Sequence, residues 1–141
     1  IPNGMAPNME KEAVRYENLI QEVGGTDLQI LGIGHNGHIG FNEPGTSFHS
    51  QTHVVELAER TREANARYFN SLEEVPRHAI TMGIQSIMNS KEIILLVSGE
   101  SKAETMKRLI YGEISEDFPA SVLRLHNNVT VIADQDALQL I

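Results

Sequence analysis

The 141-residue chain carries eleven Lys and Arg against nineteen Asp and Glu, a net charge of −8, with 40% hydrophobic residues and no cysteine. That acidic balance disfavours a nucleic-acid binder, which needs a basic footprint for phosphates, and the missing cysteines exclude disulfides, thiolate nucleophiles and Cys-ligated zinc. The composition is that of a folded globular domain. The longest strongly apolar run, residues 93–97, is too short to span a bilayer. No basic stretch leads into an apolar one near the first residue, so a cytoplasmic setting without membrane contact is expected.

Residues 1–7 hold two prolines and a glycine and read as loop. Asn8 suits a helix cap with Glu10 and Glu12 in the first turn, and Met9, Ala13, Tyr16, Ile20 and Val23 share one helical face. Gly24 and Gly25 end that helix. Residues 27–33 (DLQILGI) read as a buried strand, and 34–50 as a loop rich in Gly, Asn, Pro, His and Ser. Residues 53–57 fit a strand and 58–69 a helix with Ala64 and Tyr68 on one side. Pro76 marks a new start, followed by a helix over 83–88. Residues 92–98 (EIILLVS) are apolar on both faces, as in a central parallel strand. A helix over 101–111 turns Ala103, Met106, Leu109 and Ile110 inward and stops at Gly112. A short helix over 121–126, a strand over 129–133 and a last helical turn complete the chain. Alternating strands and helices define an α/β layered fold with a mostly parallel sheet.

Residues 32–37 match G-x-G-x-x-G after a strand, and Glu56 lies nineteen residues beyond Gly37, where a ribose-binding acid would sit. A dinucleotide site needs a helix to start inside that loop. Gly40, Pro44 and Gly45 forbid one. The segment reads better as a loop presenting side chains at the carboxyl end of a strand, where open α/β sheets bind ligands. Asn36, His38, Asn42 and Glu43 fall within eight residues, among glycines that allow close approach of a ligand. Histidine both takes and gives a proton near neutrality, and Glu43 can orient its ring and favour its charged form. A polar loop whose groups cap one another is the competing reading. His35 and His38 form an H-x-x-H pair, with His49 and His53 further on, but nothing fixes their spacing, so no metal is expected. A second anion candidate is Gly99-Glu100-Ser101-Lys102, where a strand runs into a helix whose N–H groups and lysine favour a phosphate. An ordinary turn with a solvated lysine is the plain alternative.

Residues 31–45 (LGIGHNGHIGFNEPG) resemble the signature segment of glucosamine-6-phosphate deaminases. The similarity continues through 61–69 (TREANARYF), 79–84 (AITMGI), 98–103 (SGESKA) and 119–126 (PASVLRLH), in the expected order. That family converts glucosamine 6-phosphate to fructose 6-phosphate and ammonia. The resemblance implies a three-layer, mostly parallel open sheet of a modified Rossmann-like kind, and no cofactor. It implies that His38 is the acid/base that opens the sugar ring, assisted and oriented by Glu43 and Asn36. Gly37 and Gly40 belong to the substrate loop, and Arg67 and Lys102 hold the substrate phosphate.

By the same resemblance the chain, which starts at Ile1, corresponds to the carboxyl-terminal part of a longer domain. Its sheet is then expected to be incomplete, and the carboxylate that moves the C2 proton to lie in an Asp-Glu-Tyr type segment not found here. Alone, it is expected to be inactive. Members activated by N-acetylglucosamine 6-phosphate carry basic residues where this chain has His53 and Val55, so the resemblance does not extend to that activation. Members include monomers and hexamers, leaving homo-oligomers open. Two other readings compete: 6-phosphogluconolactonase, with a similar loop but a different pattern after the histidine, and the sugar-phosphate-sensing domain of a transcription regulator.

Overall fold

A computed structural model describes residues 1–141, the side chain of Ala64 excepted. Helix α1 (Met9–Glu22) starts where Asn8 accepts the Lys11 N–H at 2.9 Å. It stops where Gly24 and Gly25, at φ +90° and +87°, fold the chain back and Gly25 N–H donates to Ile20 O. The order continues as β1 (Leu28–Gly32), β2 (His53–Glu56), α2 (Glu59–Asn65), β3 (His78–Thr81), α3 (Ile84–Met88), β4 (Glu92–Val97), α4 (Ala103–Tyr111) and β5 (Val129–Ala133). Strands β1, β4 and β5 form a parallel sheet in that order, with Leu31 level with Leu95 and Val131. Strands β2 and β3 pair antiparallel, His53 opposite Thr81. The expected α/β fold with a parallel sheet is therefore present.

One face of the parallel sheet is the core. Leu31, Ile93, Leu95 and Val97 pack against Met106, Leu109, Phe118, Ala120 and Leu123. The opposite face is open: Leu28, Ile30, Leu96 and Ile132 remain 45–59% exposed, and β1 is an unpaired edge among the described residues. The sheet is thus one covering layer short of three, which matches its expected incompleteness. No helix among the described residues is long and apolar enough to cross a membrane.

Several boundaries differ from the sequence reading, each for a local reason. The helix expected over 58–69 is α only to Asn65 and then tightens into a 3₁₀ turn, Ala66–Tyr68. Tyr68 is exposed, and the expected placement of Ala64 lies outside the described side chains. The first turn expected for the helix over 101–111 is also 3₁₀, because Lys102 N–H closes on Gly99 O. Residues Pro119–Leu125 form a 3₁₀ helix rather than an α-helix over 121–126: Ala120 N–H is drawn to Gly37 O and Ser121 N–H closes on Phe118 O. Strand β3 was not foreseen. The end of the chain is a turn, with Asp134 accepting the Ala137 N–H.

Helix α1 packs on the β2–β3 pair through an unexpected residue, since Glu17 is only 6% exposed. Its Oε2 accepts from Thr52 N–H at 3.0 Å, Thr52 Oγ1 at 2.6 Å and Ser86 Oγ at 2.7 Å, which ties α1 to β2 and α3. Burial raises its pKa, but the bonds from Thr52 and Ser86 together outweigh burial and hold it below its ordinary value of 4.5. Glu17→Ala leaves three donors unpaired and is expected to cost about 3 kcal/mol in urea unfolding at pH 7. Because the folded pKa is depressed, the part of that contribution linked to ionisation is complete above the ordinary value and is lost as pH falls through the lower, folded one. The gap between variant and parent should therefore narrow, without closing, under acid conditions.

Candidate active site

The loop after β1 is held by its own backbone. Gly34 N–H donates to His38 O at 2.9 Å and Gly37 N–H to Gly34 O at 2.9 Å. Residues 39–42 then close a turn, with Asn42 N–H on Ile39 O at 3.1 Å. Gly40 has φ +58° and Phe41, like every other non-glycine residue, has a negative φ, which makes the turn type II′ and explains a glycine there. His38 and Glu43 flank the turn and so lie side by side.

Their contacts place a proton on Nδ1 of the ring. Asn36 Nδ2 donates to Glu43 Oε2 at 2.6 Å, which orients the amide so that Oδ1 faces His38. Asn36 Oδ1 lies 2.8 Å from His38 Nδ1 and also accepts the His38 backbone N–H at 3.2 Å. An amide oxygen only accepts, so Nδ1 carries a proton, and in the neutral ring Nε2 is the nitrogen with the lone pair. Glu43 Oε1, 3.5 Å from Nδ1, is placed to stabilise the imidazolium that forms when Nε2 takes a proton. The three residues singled out in the sequence thus form one chain, carboxylate to amide to imidazole.

They open onto a cleft of about 410 Å³ lined by His35, Asn36, His38, Phe41 and Glu43, with Arg60, Thr61 and Asn65 of α2 as its far wall. These α2 residues were not foreseen, although Thr61 and Asn65 sit one helical turn apart. A larger cavity of about 500 Å³ lies between β4, β5 and α4, lined by aliphatic side chains such as Leu95, Met106 and Val131. Its one charged residue, Arg124, donates to Gly112 O, so it offers no acid/base group and is not the site of chemistry.

The cations are distributed unevenly. Lys102 Nζ donates to Ile33 O at 2.6 Å, so its ammonium lies beside the glycine loop with two N–H groups still to place. Burial lowers its pKa. Arg67 is exposed, lies over the Tyr68 ring at 4.8 Å and is not part of the cleft wall. The glycine turn after β4 differs from the sequence reading in one respect. Gly99 N–H is taken by both carboxylate oxygens of Asp134, at 3.1 and 2.9 Å, so an internal anion already occupies that donor. His35 Nδ1 donates to Ser101 O at 3.2 Å, which separates it in role from His38. Among the described residues no cluster of three or more His, Asp or Glu suits a metal.

A parallel α/β sheet with a histidine on the loop leaving one strand's carboxyl end places the chain among open-sheet α/β proteins, and it belongs to the family described as glucosamine-6-phosphate isomerases/6-phosphogluconolactonase, whose model matches residues 1–132. Within that family it is 66% identical over 139 residues to glucosamine-6-phosphate deaminase of Halalkalibacterium halodurans, covering 99% of this chain and 56% of the relative. It is 62% identical over 140 residues to glucosamine-6-phosphate deaminase 1 of Bacillus subtilis, covering 99% of this chain and 58% of that one. Among solved structures, a monomeric glucosamine-6-phosphate deaminase superposes over the whole chain and 58% of its own, at TM-score 0.94 and 62% identity. The 6-phosphogluconolactonase from Trypanosoma cruzi shares the fold, with TM-score 0.65 and 22% identity over 92% of this chain and 51% of its own. The chain therefore spans little more than half the length of the relatives it matches.

Proposed function

We propose that this chain supplies the ring-opening and phosphate-holding part of an enzyme that converts glucosamine 6-phosphate to fructose 6-phosphate and ammonia. The observation that carries this reading is the His38 ring, its Nδ1–H committed to Asn36 and its Nε2 free beside the cleft. Opening a cyclic hemiacetal removes the proton from the anomeric hydroxyl, forms C1=O and breaks the bond from C1 to the ring oxygen, which takes up a proton. His38 Nε2 accepts the first proton and returns one to the ring oxygen. Glu43 and Asn36 stabilise the imidazolium in between.

The identities of 62–66% to deaminases, against 22% to a lactonase, support this substrate over a lactone. Lys102 and Arg67 are the proposed holders of the phosphate, which needs local cations in a chain of net charge −8. Lys102→Met is expected to raise KM about 10- to 100-fold in the longer protein, with kcat changed far less, in steady-state assays. Glu43 is the one carboxylate of the cleft among the described residues and is already engaged by Asn36. By the family resemblance, the carboxylate that moves the C2 proton to C1 belongs to an Asp-Glu-Tyr type segment not found among these 141 residues, and the chain alone is expected to release no ammonia.

The decisive experiment offers a full-length protein containing this chain glucosamine 6-phosphate, galactosamine 6-phosphate and 6-phosphogluconolactone. Ammonia and fructose 6-phosphate from the first substrate are expected. Lactone hydrolysis without ammonia release from either amino sugar would replace this reading with the lactonase one.

A further inference from the structure

We infer that Asn42 is a positioning residue, which sets the His38–Glu43 pair by clamping the intervening turn onto the end of β3. Asn42 is completely buried, an unusual place for an amide one residue from a solvent-reachable carboxylate. Its Nδ2 donates to Ile39 O and Met82 O, both at 2.9 Å. The first bond doubles the backbone closure of the turn, since the same carbonyl already accepts Asn42 N–H. The second reaches forty residues along the chain to the residue that follows β3. Beside it, Thr81 Oγ1 accepts the Phe41 N–H at 3.1 Å and donates to Met82 O at 3.2 Å.

The turn is therefore fixed at two adjacent residues, Phe41 and Asn42, by the end of one strand. Its two flanks are His38 and Glu43. Burial stiffens the bond to Ile39, because neither that carbonyl nor the amide has water to turn to if the bond is lost. Glu43 is the next residue after the clamp, and its Oε2 orients Asn36, whose Oδ1 in turn holds Nδ1 of His38. Asn42 touches none of the cleft and acts only through this chain. Its effect on the ring stands whatever the substrate is. Its effect on turnover rests on the deaminase reading.

The test is the tautomer of His38, read from the imidazole nitrogen-15 shifts of a full-length protein containing this chain at a pH where the ring is neutral. The parent is expected to show the Nδ1–H form. Asn42→Ala and Thr81→Val, which remove the two clamps separately, are expected to move the ring toward the Nε2–H form preferred by the histidine side chain in water. Thr81→Ser retains the hydroxyl acceptor and should keep the parental tautomer. Ile39→Val, a buried packing change in the same turn, is the control for general loosening and should also keep it. In the full-length protein, Asn42→Ala is expected to lower kcat about tenfold or more with KM little changed. An Nδ1–H tautomer that persists in Thr81→Val, or in a folded Asn42→Ala, overturns the inference. A full-length protein that shows the tautomer changes but releases no ammonia from its parent form overturns the deaminase reading instead.

Discussion

Replacing His38 by glutamine in a full-length protein containing this chain is expected to lower turnover of glucosamine 6-phosphate about 10²- to 10⁴-fold, the usual worth of a positioned acid/base. Glutamine preserves length and polarity and can still donate to Asn36. What it cannot do is accept a proton in one step and give it back in the next. The loss should therefore fall on kcat, with KM close to the parental value, because the proposed phosphate holders Lys102 and Arg67 are untouched. Stability should barely change: the His38 side chain is 36% exposed, and the loop is closed by backbone bonds that do not involve the ring. Ammonia release measured under saturating and limiting substrate, with a thermal melt alongside, checks both halves. A variant that turns over at the parental rate would remove His38 from the role assigned to it.

The parts of the molecule that could be read from the sequence are those built by neighbours in the chain. Asn36, His38 and Glu43 lie within eight residues, and a glycine-rich turn brings them together, so their association was visible without the fold. Helix α1 announced its ends with Asn8 and Gly24-Gly25, and β4 announced itself by an apolar run that only a central strand tolerates. Strand β3 did not. Four residues, HAIT, carry little periodicity, and what makes them a strand is the antiparallel partner β2 across the intervening helix. Glu17 was hidden for a related reason: its donors, Thr52 and Ser86, stand 35 and 69 residues away. Likewise, nothing near Gly99 says that Asp134, 35 residues on, occupies its N–H. The far wall of the cleft, Arg60, Thr61 and Asn65, depends on how α2 is laid across the loop. The proposed acid/base group was thus legible from local sequence, and the far wall of the cleft was not.

Gly34→Ala should be nearly as damaging to turnover as losing His38 itself, by at least about 100-fold, while leaving the fold in place. A β-carbon at Gly34 would stand 2.1 Å from both Cε1 and Nδ1 of His38, a distance at which one of the two groups must move. The imidazole is the end of a side chain, whereas the alanine methyl is fixed to a backbone held by Gly34 N–H on His38 O and by Gly37 N–H on Gly34 O. The ring therefore yields. Gly34 does not have positive φ, so alanine brings no backbone strain of its own, and both backbone bonds can survive. Displacing the ring parts Nδ1 from Asn36 Oδ1, removes the constraint on the tautomer and takes Nε2 away from the substrate. Since both substitutions disable the same group, their effects should not multiply. The Gly34→Ala/His38→Gln double variant is expected to be no slower than His38→Gln alone, with the melting temperature of each within a few degrees of the parent. Losses that multiply in the double variant would mean that Gly34 acts on something other than the His38 ring.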